Sequence, residues 1–263
     1  MDLAEIGRQG VVLLGCGKMG SALLRGWLDR GLPPEAVTVV EPRPSDWLRG
    51  TGVRIGGALP TAAAVALVAV KPQAMGDALP ALRELRDALL VSIAAGTTIA
   101  AFEVRFPDAR VVRAMPNTPA AIGRGITAIV GNGAATAADL ALAERMLAAV
   151  GEVVRLDREE QIDAVTGLSG SGPAYVFHMI EAMAAAGERE GLAPALALRL
   201  ARATVAGAGA LAMGGDDPAQ LRRDVTSPQG TTQAGLEVLM AELPDLMART
   251  VAAAAARSRE LRG

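Results

Sequence analysis

Two kinds of stretch in this chain have residue types and spacings that could do chemistry. Residues 15–20 read GCGKMG, directly after the apolar run GVVLLG (10–15) and before SALLRGWLDRG, whose leucines and tryptophan recur at helical spacing. In a strand–turn–helix setting Gly15 makes a tight turn, Gly17 lets a pyrophosphate approach the backbone, and Gly20 lets the helix pack close to the sheet. The start of the helix then offers amides to the phosphates. A glycine pattern alone is weak, but the strand before it and the helix after it point to a dinucleotide site. The second kind is TGLSGSGPAY (166–175) and VTSPQGTTQAGL (225–236), where Ser, Thr and Gly precede a helix start. Hydroxyls and free amides there can hold a small carboxylate, each charge-assisted hydrogen bond contributing about 1.5–3 kcal/mol. The same residues also suit two ordinary capped helix starts.

The remaining candidates narrow the chemistry. Glu41 ends the second strand-like run, where an acid hydrogen-bonds the ribose 2′-hydroxyl of NAD, while Arg43 two positions on could hold the 2′-phosphate of NADP. Glu41 could equally be a solvated turn residue. Cys16 and Lys18 lie inside the glycine loop, with no histidine near in sequence to activate the thiol, so they border the cofactor and do no chemistry. His178 is the single histidine, placed in an apolar helical segment that suggests a packed or interfacial role. A reaction relying on a histidine proton shuttle would have nowhere else to put it. Reducing a ketone needs a strong proton donor, whereas reducing a C=N bond that already carries its proton needs hydride and correct positioning. No metal site is expected.

The elements that must position these residues fall into two halves. Short apolar runs at 10–15, 37–40 (VTVV), 65–70 (VALVAV), 89–94 (LLVSIA), 109–115 (ARVVRAM), 126–130 (ITAIV) and 152–156 (EVVRL) alternate with segments able to form helices, such as 74–88 (AMGDALPALRELRDA). Runs apolar on both faces and separated by helices predict an α/β class, a doubly wound, mostly parallel Rossmann-like sheet, over residues 1–157. From 158 to 263 the pattern is all helical, and several helices are small or apolar on nearly every face. Such helices need neighbours all round, which predicts a dimerisation domain in a homodimer or larger oligomer; a single compact alanine-rich domain is the alternative. With Lys+Arg 26 against Asp+Glu 28 and 2% aromatic residues, the 263-residue chain has no general attraction for nucleic acid and no stacking platform for single strands. Apolar windows broken by charge, glycine or proline argue against a membrane span, and one unpaired cysteine with no signal-like start implies a cytoplasmic protein.

At these residues the chain resembles the pyrroline-5-carboxylate reductase family. The likeness runs through GCGKMG, VAVKPQ (68–73), SIAAGTTI (92–99), RAMPNTP (113–119), TGLSGSGPAY and DPAQLRRDVTSPQGTTQAGL, covering nearly the whole chain. It implies hydride transfer from NADPH or NADH to the C=N bond of 1-pyrroline-5-carboxylate, giving L-proline. It also implies a cofactor site made of Leu14, Gly15, Cys16, Gly17, Lys18, Met19, Gly20 and Glu41, with Ala69, Val70, Lys71 and Pro72, and with Ala94, Ala95 and Gly96, bordering the adenine-ribose and nicotinamide portions. Glu159 is placed near the nicotinamide. Ser227, Gly230 and Thr231 would bind the substrate carboxylate, and the Thr232 hydroxyl would face the ring nitrogen as the catalytic group. The family usually has glycine where Gln229 stands and asparagine where Lys18 stands. If position 229 needs a positive φ, glutamine strains that loop. Two other readings remain: a related imine or β-hydroxyacid reductase, the latter needing an interdomain lysine that residues 159–190 lack, and a non-catalytic dinucleotide sensor, which would have no use for SPQGTT.

Overall fold

The computed structural model describes residues 3–85 and 87–262. Eight strands form one sheet: β1 (Val11–Leu14), β2 (Val37–Val40), β3 (Arg54–Ile55), β4 (Val65–Val68), β5 (Leu89–Ser92), β6 (Val111–Met115), β7 (Gly125–Gly131) and β8 (Gly151–Arg155). Their order is β3-β2-β1-β4-β5-β6-β7-β8. Every pairing is parallel except β6 with β7, which is antiparallel. β1 lies between β2 and β4, so the crossovers reverse direction there and leave a crevice at the carboxyl ends of β1 and β4.

The helices that accompany the sheet are α1 (Leu3–Gln9), α2 (Lys18–Asp29), α3 (Asp46–Arg49), α4 (Met75–Ala78), α5 (Ile99–Glu103), α6 (Ala137–Leu147) and α7 (Gln161–Val165). Burial on both faces explains the unbroken apolar runs of the strands. Val11 and Leu13 of β1 face one core, with Leu23, Leu24 and Trp27 of α2. Val12 and Leu14 face a second core with Val68, Leu79, Leu82 and Phe102. A strand covered on both faces has no solvent side to mark with polar residues. The Trp27 indole Nε1 donates to the Met146 carbonyl at 2.7 Å, tying α2 to the end of α6.

One expectation changes. Residues 74–88 do not form one helix: α4 spans four residues between 3₁₀ turns at Pro72–Ala74 and Leu79–Glu84. Pro72 and Pro80 lack the amides a continuous helix needs. Position 86 lies outside the described residues. The strand β3 carries no apolar run, since Arg54 is exposed, and it pairs only through Thr38 with Arg54 and Val39 with Ile55.

The chain forms two compact units, Met1–Gly170 with Ala254–Gly263, and Ser171–Ala253. The first compact unit runs on to residue 170, because α7 and the π-helical turn Thr166–Gly170 belong with the sheet. The second unit holds α8 (Gly172–Arg189), α9 (Pro194–Ala212), α10 (Pro218–Asp224) and most of α11 (Thr231–Glu260). Its buried cluster is small, made of Ala184, Ala197 and Ala201 with Ile180 and Leu198 against it. The helix α9 has the length and mean hydropathy, 1.3, to cross a membrane, although it carries Arg199 and Arg202.

A candidate dinucleotide site and a candidate carboxylate cradle

The glycine loop comes directly off β1 because the ladder continues past the strand ends. The Gly15 amide donates to the Val40 carbonyl at 2.9 Å and the Ala69 amide to the Leu14 carbonyl at 2.7 Å. Gly15 has φ +90°, and a Cβ there would meet Val70 Cγ1 at 2.8 Å and the Ala69 carbonyl at 3.0 Å. A Cβ on Gly20 would come within 2.4 Å of the Gly15 carbonyl oxygen, so both positions require glycine for close packing. Gly17 differs. A Cβ there would meet nothing within 4 Å, so the backbone faces open space where a phosphate can approach. Gly17 is also the N-cap of α2, with no side-chain cap, which leaves the first amides of that helix to an outside anion. Lys18 and Met19 begin the helix, Lys18 exposed. These residues fit the pyrophosphate of a dinucleotide.

Glu41 is not a solvated turn residue. Its Oε2 accepts from the Cys16 amide at 2.9 Å and its Oε1 from the Arg43 amide at 3.0 Å. The carboxylate therefore spans from the end of β2 to the glycine loop, and each oxygen keeps a lone pair for a ribose hydroxyl. Burial, and then the neighbouring Glu41 charge, push the Cys16 thiol up to about 11, so it is neutral and unreactive near pH 7.

The other loops leave the same edge of the sheet. Ala69 and Val70 come immediately after β4, and Lys71 and Pro72, both exposed, open the 3₁₀ turn. After β5, the Ala94 amide donates to Ser92 Oγ at 3.3 Å, Ala95 is exposed, and Gly96 has φ +74°. Glu159 reaches this loop from before α7. Its Oε1 accepts from the Ile99 amide at 2.8 Å and from Arg113 Nη1 at 2.6 Å. Arg113, only 4% exposed, is a buried strand arginine whose charge is met by Glu159. The chain thus brings the loops around Gly15–Gly20, Glu41, Ala69–Pro72 and Ala94–Gly96 to one edge, with Glu159 as a brace behind the last.

Sequence reasoning missed two contributors. Arg113 reads as one polar residue inside an apolar run, which is itself a signal of a buried pair. Asn117 accepts from the Ile126 amide at 3.0 Å and approaches the Ser169 carbonyl at 3.4 Å, holding the π turn to β7. Its place in MPNTP was visible, but its partners were not.

The candidate cradle lies in the second unit, between α10 and α11. Asp217 Oδ1 caps α10, accepting from the Ala219 amide at 2.8 Å and the Gln220 amide at 3.1 Å. The turn closes where the Gly230 amide donates to the Ser227 carbonyl at 3.0 Å. Thr231 and Thr232 are the first residues of α11, and the side chains of Ser227, Thr231 and Thr232 are exposed. Gln229 has φ +59°, so this position does require the left-handed region and glutamine carries the strain. Its amide donates to Gln233 Oε1 at 2.8 Å, and Gln233 Nε2 donates to Glu237 Oε1 at 3.1 Å, which holds the strained residue in place. His178 is not packed within the chain: it is 82% exposed, with Nδ1 3.1 Å from Glu181 Oε2.

Fold and loops together define a dinucleotide-dependent oxidoreductase of the Rossmann class with a helical second unit. Residues 159–261 match the family model for pyrroline-5-carboxylate reductase dimerisation, and residues 10–96 match the model for NADP oxidoreductase, coenzyme F420-dependent. The pyrroline-5-carboxylate reductase of Pseudomonas aeruginosa is 38% identical over 95% of this chain and 96% of its own. The pyrroline-5-carboxylate reductase structure from Coxiella burnetii superposes with a TM-score of 0.89 at 33% identity, over 97% of this chain and 99% of that one. The Plasmodium falciparum pyrroline carboxylate reductase structure with NADP bound gives 0.84 at 27% identity, over 98% of this chain and 100% of that one. This chain belongs to the pyrroline-5-carboxylate reductase family.

The contact between Glu41 and Cys16 can be tested from both sides. Glu41→Ser removes a carboxylate that repels a 2′-phosphate, so the ratio of kcat/KM for NADPH over NADH should rise, by roughly tenfold or more for one charge contact; an unchanged ratio would place specificity in Arg43 or the backbone. For Cys16, moving the pKa from 9.0 to about 11 leaves the thiolate roughly a hundredfold scarcer at pH 8 than in the unfolded chain. Alkylation measured by mass spectrometry should accordingly be about that much slower in the native protein, accelerating as pH rises toward 11; equal rates would contradict the burial of the thiol.

Proposed function

We propose that this protein reduces 1-pyrroline-5-carboxylate to L-proline with hydride from NADH or NADPH. The observation that carries the reading is the match to pyrroline-5-carboxylate reductases across 95% of the chain, together with a glycine loop whose Gly17 faces open space. When bound, the reduced nicotinamide supplies hydride. The protein's own part is to bind and orient. Gly15–Gly20 and the start of α2 hold the pyrophosphate, Glu41 takes the ribose, and the loops Ala69–Pro72 and Ala94–Gly96 flank the dinucleotide. The Ser227 hydroxyl and the Gly230 and Thr231 amides take the substrate carboxylate, and the Thr232 hydroxyl orients on the ring nitrogen. An imine nitrogen that already carries its proton asks for no further acid, and hydride at carbon completes the amine.

The helical unit supports self-association. Phe177, Met179, Met183, Leu196, Leu200 and Leu211 on α8 and α9 are exposed in the single chain, large apolar side chains that a second copy would cover. We take this surface, α9 included, as the seat of a symmetric homodimer and not of a membrane contact, and place the protein in the cytoplasm. Neither nucleic acid nor membrane is proposed as a partner.

Spectrophotometric loss of reduced cofactor with 1-pyrroline-5-carboxylate, run with each cofactor, tests the reading directly; no substrate-dependent oxidation would reject it. Thr232→Ala should lower kcat by the worth of one hydroxyl contact, about 1–3 kcal/mol, with cofactor binding nearly unchanged. Equal losses in both would remove Thr232 from the substrate site. Ala206→Glu, on α9, should bury a carboxylate in the interface at a cost of several kcal/mol and lower dimerisation and activity together. A fully active monomer in light scattering would refute the interface.

A further inference from the structure

Asp163 is a carboxylate that the proposed reaction does not use, and it is buried: its side chain on α7 is 2% exposed. Both of its oxygens are held by the last residues of the chain's first unit. Ser258 Oγ, on the final turns of α11, donates to Oδ1 at 2.8 Å, and the Arg262 guanidinium closes on Oδ2 through Nη2. Between these two partners sits Leu261, whose carbonyl oxygen lies 3.0 Å from where a Cβ on Gly96 would be. Gly96 has φ +74°, so the turn can come this close only without a side chain.

The segment 159–163 thus holds the loop after β5 at two points. Glu159 takes the Ile99 amide at the loop's far end, and Asp163 binds Ser258 and Arg262 on either side of Leu261, whose carbonyl lies against the loop's middle. The place of this loop gives the contact a meaning. Glu41 after β2 marks the adenosine side of the crevice, so the other half of a dinucleotide crossing the β1–β4 switch point lies toward the carboxyl ends of β4 and β5. Gly96 belongs to that half.

We propose that Asp163, Ser258 and Arg262 form a latch that sets the Ala94–Gly96 turn, and with it the seat of the nicotinamide, which makes them positioning residues for hydride transfer. The proposal rests on the reductase reading for its purpose and on the dinucleotide site alone for its test. A latch that acts on one half of the crevice affects a ligand that fills that half and spares one that does not.

The experiment measures calorimetric affinities of the full chain for NADH and for ADP-ribose, which lacks the nicotinamide. It uses wild type, Arg262→Gln, Ser258→Ala and Arg262→Lys, with melting temperatures alongside. Arg262→Gln and Ser258→Ala should weaken NADH binding about 2- to 30-fold, the range for residues that act through a neighbour, while ADP-ribose binding stays put. Arg262→Lys, which keeps the charge, should recover most of the loss. Equal weakening of both ligands, or lower melting temperatures with both affinities unchanged, would make the cluster purely structural and overturn the proposal. Because neither measurement uses the imine, failure of the substrate assay with the predicted NADH-to-ADP-ribose difference intact would reject the proposed reaction and leave the latch standing.

Discussion

The contact on which the rest depends is the approach of Gly20 to the Gly15 carbonyl, so close that a Cβ would stand 2.4 Å from the oxygen. It lets α2 begin three residues after β1 and pack on the sheet, where Leu23, Leu24 and Trp27 are fully buried. With α2 so placed, its uncapped N-terminus follows the carboxyl end of β1, on the edge of the sheet that the loops after β1, β2, β4 and β5 leave. A methyl group at either glycine would lift the helix, loosen the core on that face and turn the amides away from a phosphate. Packing and binding here are a single constraint.

That constraint explains what could be read from the sequence. Strands such as VTVV and VALVAV are buried on both sides, so their apolar runs stand out, and the glycine loop is bound to its neighbours by sterics that only glycine satisfies. β3 left no such trace, since two residues at a sheet edge bury almost nothing. Residues 74–88 have the composition of a helix, but local propensity lost to Pro72 and Pro80, and the apolar side chains Met75, Leu79 and Leu82 reach the core from short turns instead. α7 is helical like the segments C-terminal to it, yet Ile162 is buried in the core under the sheet, so in compactness this helix goes with the first unit.

Backbone positions of the site were legible, and side-chain partners were not. Gly15, Gly17 and Gly20 announce themselves by type. That Glu41 would take the Cys16 amide, or that Glu159 would join Arg113 to the Ile99 amide, depends on which loops the sheet brings together over separations of 25, 60 and 46 positions. Gln229 falls between these cases. Its strain could be anticipated from the family's glycine, while the Gln233 and Glu237 side chains that hold it could not. For the cradle, the sequence marked a turn rich in hydroxyls, and the structure adds that Ser227, Thr231 and Thr232 are exposed around a turn closed by the Gly230 amide on the Ser227 carbonyl.

The way the carboxylates are used bears on the chemistry. Glu41 accepts two amides, Glu159 accepts an amide and a guanidinium, Asp163 accepts a hydroxyl and is ion-paired with a guanidinium, and Asp217 caps a helix. Each of these carboxylates is therefore taken up in holding a loop, a helix end or a chain segment in place. The thiol of Cys16 is neutral and the single histidine stands exposed beside Glu181. A reaction that demanded strong protonation of a developing alkoxide would find these acids already committed to holding loops in place. Hydride delivery to a C=N bond whose nitrogen already carries its proton asks for placement above all, and these carboxylates are spent on holding the backbone in place.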